Sequence, residues 1–368
     1  MRIGVPKEIK NHEYRVGLTP AAVRDLRAQG HEVHVQRGAG SAVGFSDDDY
    51  AAAGAHQTDS AAGVYACDMV VKVKELQPPE YRYLRPGLLL FAYLQLAPDR
   101  ELLDRVLAAR ISALGYETVT DAEGRLPLLA PMSRIAGRMS IQIGAWALQM
   151  QNGGSGVLLP GVQGVPPGKV VVLGAGTSGR NAVHVAAGLG ADVTVFDVQP
   201  ERLDEINEAY AGSVKTHYAE PGVMAEAVTQ SDLVVGAILI PGKLAPKVIT
   251  RRMVRSMRRG SVIVDIAIDQ GGVSETSRMT SHAEPLYVEE GVLHYCVPNM
   301  PAACARTATQ ALVQATLPYV LRLADAGLDA LRTDTGFAAG LQAHRGHVTH
   351  RGLAEDCGRT YVPFEISE

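Results

Sequence analysis

A chain of 368 residues is long enough for about two domains. Its 46% hydrophobic and 20% charged residues are typical of a globular protein, and a formal net charge of −4 argues against nucleic acid as a partner. Four cysteines without a C-x-x-C pair indicate a reducing compartment and no metal framework. The N-terminus has no apolar signal, and the longest apolar stretch, Leu88–Leu94, is too short to span a bilayer. We therefore expect a cytoplasmic protein without a membrane partner.

The first 130 residues alternate strand-like and helix-like segments. Helical spacing covers residues 20–30, where Gly30 is a C-terminal stop. Strands are predicted for five apolar runs, at residues 2–5, 31–35, 68–73, 88–94 and 111–116. Because strands alternate with helices, we predict a largely parallel sheet.

A long helix is predicted from about Ser133 to Asn152, followed by a Gly- and Pro-rich loop. A second alternating series then places strands at residues 169–174, 192–197, 231–237 and 261–267. The pattern turns helical from about Thr307 to Leu328, and the last forty residues give no clear assignment. The basic run from Arg251 to Arg259 has helical spacing, and we interpret it as a solvated helix face rather than a nucleic-acid patch.

The strongest signal is a dinucleotide-binding pattern over residues 169–197, KVVVLGAGTSGRNAVHVAAGLGADVTVFD. A strand leads into a glycine loop, a helix and a second strand that ends at Asp197. The glycines allow a tight turn, a close approach of the backbone to a pyrophosphate and packing of helix on strand, and the helix N-terminus donates amides to phosphate. Asp197 can accept from both ribose hydroxyls and would repel a 2′-phosphate, so the pattern predicts NAD. The predicted cofactor contacts of the loop are Gly174, Gly176, Thr177, Ser178 and Gly179.

Two later strand ends, Gly236–Pro241 and Asp265–Gly272, fall where a doubly wound sheet presents loops to a nicotinamide. Asp269 follows an apolar strand and precedes two glycines, so it is either an acid/base candidate or a turn residue. Asp265 lies within the strand and could equally be structural.

A dehydrogenase of small acids also needs cations and hydrogen-bond donors for its substrate. Arg15 precedes a helix start and suits bidentate carboxylate binding, although it could be an ordinary surface arginine. Lys72 and Lys74 lie two apart on a predicted strand and would face the same side. A lysine in an apolar strand is costly to bury, so we expect at least one of them to line a cleft, with a sheet-edge charge as the alternative.

The three-residue spacing of His344, His347 and His350 would put a metal cluster on one helix face. Because no cysteine or carboxylate pattern accompanies these histidines, we predict no metal site.

Seven motifs along the chain resemble the alanine dehydrogenase family, which is related to the NAD-binding subunit of proton-translocating transhydrogenase. They occur in the order KEIKNHEYRVGLTP, VKVKEL, GYETV, LPLLAPMSRIAGR, LGAGTSG, VDIAIDQGG and VPNMPA, and they cover nearly the whole chain. The resemblance implies reversible deamination of L-alanine to pyruvate and ammonium by a homohexamer.

It also implies an α/β fold of two Rossmann-like, doubly wound parallel-sheet domains with the nicotinamide cleft between them. A discontinuous substrate (catalytic) domain would comprise residues 1–128 plus 306–368. The NAD-binding Rossmann domain would comprise residues 129–305.

The roles that the resemblance implies follow the family's motifs. Arg15 would bind the substrate carboxylate, Lys74 would polarise the carbonyl, and Asp269 would act as acid/base or orient the attacking water or ammonia. Asn299 would touch the substrate beside the cofactor. The further cofactor contacts would be Ser133, Asp197, Arg202, Leu239, Asp269 and Met300.

Two departures from the family concern the substrate side. Gln95 stands where the family usually has a histidine regarded as catalytic, and glutamine can donate a hydrogen bond but cannot exchange a proton near neutral pH. The segment after Asn299 differs from the usual P-R-T-S-T…T-N pattern at Ala305, Ala308 and Gln314.

Three hypotheses therefore stay open. The chain is an alanine dehydrogenase, with Lys74, Gln95 and Asp269 at its catalytic centre; or a diverged NAD-dependent enzyme acting on another amino acid or 2-oxo acid, or joining a keto acid to an amine; or a non-catalytic NAD-binding module. Retention of Arg15, Lys74 and Asp269 argues against the last.

Overall fold

A computed structural model describes residues 1–240 and 244–364. Contacts divide the chain into two compact units. The terminal unit comprises Met1–Met132 and Cys304–Glu368, and the central unit comprises Ser133–Ala303. Among the described residues, no helix combines the length and the apolar character needed to cross a bilayer.

The N-terminal part of the terminal unit alternates strands and helices. The strands are β1 (Arg2–Val5), β2 (Glu32–Gln36), β3 (His56–Thr58), β4 (Met69–Val71), β5 (Leu89–Ala92) and β6 (Ser112–Gly115). The helices are α1 (Pro20–Ala28), α2 (Asp47–Ala52), α3 (Ala61–Tyr65) and α4 (Arg100–Ala108). Helix α5 (Ala130–Ala147) follows, with the boundary between the two units after its third residue.

The central unit continues the alternation. Its strands are β7 (Lys169–Leu173), β8 (Asp192–Asp197), β9 (Lys215–Tyr218), β10 (Leu233–Gly236), β11 (Val262–Asp265), β12 (Leu286–Glu289) and β13 (Val292–Tyr295). Its helices are α6 (Thr177–Gly188), α7 (Pro200–Tyr210), α8 (Pro221–Gln230) and α9 (Arg251–Ser256). The C-terminal part of the terminal unit adds α10 (Ala305–Ala326), α11 (Thr335–Ala338), β14 (Leu341–His344), β15 (His347–Val348) and α12 (Arg351–Cys357).

Each unit is built on one sheet in which the early strands follow the doubly wound order. The terminal sheet runs β3-β2-β1-β4-β5-β6-β14-β15, and the central sheet runs β9-β8-β7-β10-β11-β13-β12. The pairs are parallel except those that involve β14, β15 or β12. In both sheets the strand order reverses beside the first strand, at β1/β4 and at β7/β10, which is where α/β sheets bind ligands.

The central strands form because their residues are apolar on both faces. The side chains of Val170, Val172 and Leu173 in β7 are buried, as expected for a parallel strand covered by helices on both sides. The doubly wound α/β prediction is confirmed in each unit. The antiparallel additions β12–β13 and β14–β15 were not predicted, because strands of two to four residues are too short to show a clear apolar period.

The predicted helix at the basic run is confirmed as α9, and two of its three arginines are ion-paired. Arg251 and Arg255 both contact Glu290, at the turn that joins β12 to β13. Arg258 lies 3.4 Å from the carboxylate of Asp232. Arg251 and Arg255 therefore form a salt-bridged face of α9, and Arg258 follows the helix.

Candidate active site

Three predicted site residues of the terminal unit follow adjacent parallel strands. Arg15 lies in the loop after β1, Lys74 follows β4 and Gln95 follows β5. These strands are neighbours in the order β1-β4-β5. Because the carboxyl ends of parallel strands meet at one edge, the fold gathers the three residues at the switch point of the terminal sheet.

Arg15 forms a buried ion pair with Glu13. Its side chain is 1% exposed, with Nε 2.7 Å and Nη2 2.5 Å from the two carboxylate oxygens of Glu13. Nη1 lies 3.0 Å from Sδ of Met132. Burial lowers the pKa of Arg15, but Glu13 raises it above the ordinary value. The sequence reasoning missed Glu13, although an acid two residues before a buried arginine is a recognisable signal.

The prediction that Lys72 and Lys74 share a strand face is wrong, because β4 ends at Val71. The side chain of Lys72 is 0% exposed, and its Nζ lies 2.9 Å from Glu8 Oε2 and 3.0 Å from Glu80 Oε1. Burial lowers the pKa of Lys72, but the two carboxylates raise it above the ordinary value. Lys72 is therefore an anchor inside the core, and Lys74 is the lysine left as the candidate for substrate.

Substitution of Lys72 by methionine should destabilise the fold by about 3–5 kcal/mol, because it leaves the carboxylates of Glu8 and Glu80 buried without their cation. Burial already raises the pKa of Glu8. A carboxyl group with a raised pKa favours its neutral form, so the deficit should shrink as the pH falls through that pKa. Urea unfolding at several pH values measures the effect, with the exposed Lys7→Met as control. Equal unfolding free energies for the two variants would contradict the assignment.

The surroundings of Lys74 hold its ammonium near the sheet edge. Its side chain is 12% exposed, and its Nζ lies 3.4 Å from Glu75 Oε2. Glu75 also pairs with Lys10, and although burial raises the pKa of Glu75, the two lysines lower it below the ordinary value. The backbone amide of Lys74 donates to Glu8 Oε1 over 3.3 Å. This anchoring leaves Lys74 suited to donate a hydrogen bond to a substrate oxygen.

Gln95 is exposed and has a left-handed backbone, with φ of +53°. Such a conformation is uncommon for a residue with a Cβ and marks a locally constrained position. The backbone amide of Gln95 donates to the carboxylate of Glu117, which follows β6. Sequence reasoning did not single out Glu117, although it lies in the quoted GYETV motif.

The predicted site residues of the central unit also follow parallel strands that are neighbours in its sheet. The glycine loop follows β7, Asp197 ends β8, Leu239 follows β10, Asp269 follows β11, and Asn299 and Met300 follow β13. The strands lie in the order β13-β11-β10-β7-β8. The fold therefore places all these residues along the carboxyl edge of the central sheet.

The three loop glycines meet the requirements that the motif predicts. Gly174 has φ of +100°, and a Cβ there would lie 2.7 Å from the carbonyl oxygen of Ala237. A Cβ at Gly179 would lie 1.7 Å from the carbonyl oxygen of Gly174, so helix α6 packs directly on the turn. At Gly176 a Cβ would meet only Arg202 Nη1 within 4 Å, at 3.8 Å. The backbone at Gly176 is thus open to an approaching phosphate, beside the N-terminus of α6.

Asp197 is tied to this loop. Its Oδ2 accepts from the backbone amide of Ala175 over 2.6 Å, and Oδ1 accepts from that of Gln199 over 2.9 Å. Arg202 Nη1 lies 3.6 Å from Oδ2. Two backbone bonds leave carboxylate lone pairs for a ligand diol, so these residues fit the ribose and pyrophosphate of a dinucleotide.

The Asp265–Gly272 loop contains two acidic residues with different surroundings, the buried Asp265 and the exposed Asp269. Asp265 is fully buried, and its carboxylate accepts from the amides of Ala267 and Val273 and from the Ser277 hydroxyl. Burial raises its pKa. Asp269 is exposed on the short 3₁₀ turn that these bonds hold. Asp265 is thus the structural residue, and Asp269 is accessible for acid/base work.

The remaining predicted contacts differ in exposure. Leu239 is 49% exposed, Asn299 is half-buried with φ of +56°, and Met300 is buried. The last residue of the predicted Gly236–Pro241 loop lies outside the described residues.

Ser133 lies on α5, one helical turn before Gly137. A Cβ at Gly137 would lie 2.0 Å from the carbonyl oxygen of Ser178, so α5 packs tightly on the start of α6. Residues four apart share a helix face, which places Ser133 on the side of α5 that faces the glycine loop.

The three histidines His344, His347 and His350 do not lie on one helix, as their spacing suggested. His344 ends β14, His347 begins β15, and His350 caps α12, where its Nδ1 accepts from the amide of Leu353. His344 Nδ1 is hydrogen-bonded to the hydroxyl of Ser112 over 2.8 Å. Within residues 1–240 and 244–364, no three His, Cys, Asp or Glu side chains are grouped to hold a metal ion.

Comparisons with known proteins give matches over nearly the whole chain. Residues 4–136 match the family model "Alanine dehydrogenase/PNT, N-terminal domain", and residues 140–351 match "Alanine dehydrogenase/PNT, C-terminal domain". The chain is 52% identical over 364 residues to an alanine dehydrogenase of Halomonas elongata, covering 98% of each chain. It is similar to a solved L-alanine dehydrogenase, with a TM-score of 0.95, 49% identity and coverage of 97% of this chain and 99% of that one. A solved transhydrogenase from Sinorhizobium meliloti has a TM-score of 0.82 at 25% identity, with coverage of 95% and 99%.

Proposed function

Since the chain belongs to the alanine dehydrogenase/PNT family, we propose that it catalyses the NAD-dependent oxidative deamination of L-alanine to pyruvate and ammonium, and the reverse reductive amination. The observation that carries the proposal is that Lys74, whose side chain is partly exposed, lies at the same sheet edge as Arg15. The proposal assigns the terminal unit to the substrate and the central unit to NAD. It keeps the homohexamer that the resemblance implies and the cytoplasmic location expected from the sequence.

The residues of the terminal unit act on the substrate. Lys74 donates to the oxygen of the reacting carbonyl and stabilises the charge that develops there. Arg15 receives the substrate carboxylate at Nη1, where a charge-assisted hydrogen bond replaces the weaker contact with Met132. Gln95 donates a hydrogen bond from its amide but moves no proton.

In the central unit, the glycine loop and Asp197 orient NAD, which supplies the hydride acceptor when bound. The amides at the start of α6 bind the pyrophosphate, and Asp197 accepts from the ribose hydroxyls. Ser133, Arg202, Leu239, Asn299 and Met300 complete the proposed contacts. Asp269 is exposed and exchanges the proton or orients ammonia.

Substitution of Asp197 by asparagine should weaken NADH binding roughly tenfold, because a hydrogen bond to a charged group is replaced by a neutral one. The remaining amide oxygen can still accept from Ala175, although the bond from the amide of Gln199 is lost. NADPH should be tolerated better once the negative charge is gone. Titration calorimetry with both cofactors measures the change, with Asp192→Asn at the opposite end of β8 as control. An unchanged NADH affinity would remove Asp197 from the proposed site.

One observation favours a diverged enzyme as the second candidate. Gln95 is exposed at the carboxyl end of β5, where a group that cannot titrate replaces the histidine usual in the family. An enzyme of the same chemistry acting on another 2-oxo acid, or joining a keto acid to an amine, would fit this change.

The test is NADH oxidation with ammonium or methylamine and a panel of 2-oxo acids. We expect pyruvate with ammonium to give the highest kcat/KM. Turnover with another acid or with the amine, but none with pyruvate and ammonium, would favour the diverged enzyme. NADH binding without any turnover would favour a non-catalytic module.

A further inference from the structure

The carboxylate of Glu117 accepts hydrogen bonds from three donors, which lie in two separate parts of the terminal unit. Oε1 accepts from the backbone amides of Leu94 and Gln95, both over 3.1 Å, and Oε2 lies 3.2 Å from the amide of Leu94. The side-chain amide of Gln342, on β14, donates to Oε1 over 3.1 Å. We name these four residues the Glu117 clamp. It joins the loop after β5 to the C-terminal strand β14.

Gly115 leaves the space that the Glu117 clamp occupies. A Cβ at this position would lie 2.2 Å from Nε2 of Gln342 and 3.0 Å from Oε2 of Glu117. The backbone of Gly115 has φ of −93° and ψ of 127°, which any residue adopts. The lack of space for a Cβ is therefore what requires glycine here, and an alanine would press first on the side chains of Gln342 and Glu117.

The clamp fixes the backbone that carries Gln95. Leu94 and Leu96 are each 1% exposed and belong to one hydrophobic core cluster, while the side chain between them is exposed. Two contacts hold the left-handed φ of Gln95: the hydrogen bonds from the backbone amides of Leu94 and Gln95 to Glu117, and the packing of the flanking leucines. Strained backbone persists where its surroundings over-determine it, and it often does so at functional positions.

Building on the proposed function, we propose that Glu117 is a positioning residue, which aims the side chain of residue 95 along the carboxyl edge of the sheet at the substrate that Lys74 holds. β5, which precedes Gln95, is the neighbour of β4, which precedes Lys74. Glu117 itself touches no reacting atom. It acts through the direction of the Cα–Cβ bond at residue 95, which the clamped backbone sets.

The test is a double-substitution cycle with Glu117→Gln and Gln95→Ala, measured as kcat and KM for the 2-oxo acid that the wild type turns over best. Misplacement of a contacting group costs about tenfold to a hundredfold in kcat. We expect Glu117→Gln to lower kcat about tenfold in the wild type and to add almost nothing once Gln95 is alanine. KM for NADH should stay unchanged, because the central unit is untouched.

Gly115→Ala provides a second route if Glu117→Gln does not fold. It should lower kcat in the same way, and again only while Gln95 is present. The exposed Glu101→Gln serves as the carboxylate control and should leave kcat unchanged. Urea unfolding of every variant distinguishes a loss of stability from a misplaced side chain at residue 95.

Equal losses of kcat from Glu117→Gln in both backgrounds would show a merely structural carboxylate and overturn the inference alone. A wild-type kcat in Glu117→Gln would do the same. A wild type that turns over no 2-oxo acid would overturn the inference together with the proposed function.

Discussion

Substitution of Lys74 by methionine should lower kcat for pyruvate and ammonium by roughly a hundredfold to a thousandfold, the usual loss when one donor to a developing oxyanion is removed. Of the two lysines that follow β4, Lys74 has the partly exposed side chain, whereas the ammonium of Lys72 is enclosed by Glu8 and Glu80. NADH affinity should not change, because the predicted cofactor contacts lie in the central unit. Steady-state kinetics and NADH fluorescence titration measure the two quantities.

Two further variants make this prediction specific to the position of Lys74. The exposed Lys7→Met removes one lysine from the same unit at a residue with no role in the proposed site, and it should keep the wild-type kcat. Lys74→Arg keeps the charge but changes the donor geometry, so it should recover only part of the activity. A Lys74→Met enzyme with near wild-type kcat would exclude Lys74 as the carbonyl donor.

Substitution of Gln95 by histidine should raise kcat with pyruvate and ammonium by about a hundredfold, the lower end of what general acid–base catalysis contributes. Gln95 is exposed, and the left-handed backbone at this position also suits histidine. The new imidazole should add a titration near pH 6.5, its unperturbed pKa. Alanine oxidation should rise with pH through this value, because the neutral ring takes the proton. Reductive amination should fall, because the charged ring donates one.

Gln95→Asn is the matched control, since it keeps an amide, tolerates the left-handed backbone and adds no titrating group. Its pH profile should follow that of the wild type. A Gln95→His enzyme with an unchanged rate and no new titration would show that residue 95 takes no part in proton transfer.

The sequence predicted the strands that carry apolar, β-branched runs, because burial on both faces of a parallel sheet imposes that pattern. It also predicted that Gly174, Gly176 and Gly179 act together, and the structure gives no room for a Cβ at Gly174 or Gly179 while the backbone at Gly176 is open. It could not predict β14 or β15, which have only four and two residues and mix apolar with polar side chains. The pairing of β14 with β6 is a tertiary contact between residues more than 200 positions apart.

The site shows the same division between local pattern and tertiary contact. A strand pattern could not separate Lys72 from Lys74, because the strand end at Val71 and the carboxylates around Lys72 depend on long-range packing. The carboxylates that hold the site, such as Glu8 and Glu117, gave no signal of their own, since their partners lie in other elements. Arg15 was predicted as a carboxylate ligand, and its pairing with Glu13 was missed because the sequence does not show that both side chains are buried.

The most direct test of the proposed reaction follows the nitrogen. The protein is incubated with NADH, pyruvate and ¹⁵N-labelled ammonium, and the products are identified by NMR and chiral chromatography. The account predicts ¹⁵N-labelled L-alanine in amounts equal to the NADH consumed. Lactate in place of alanine, or no NADH consumption at all, would contradict it.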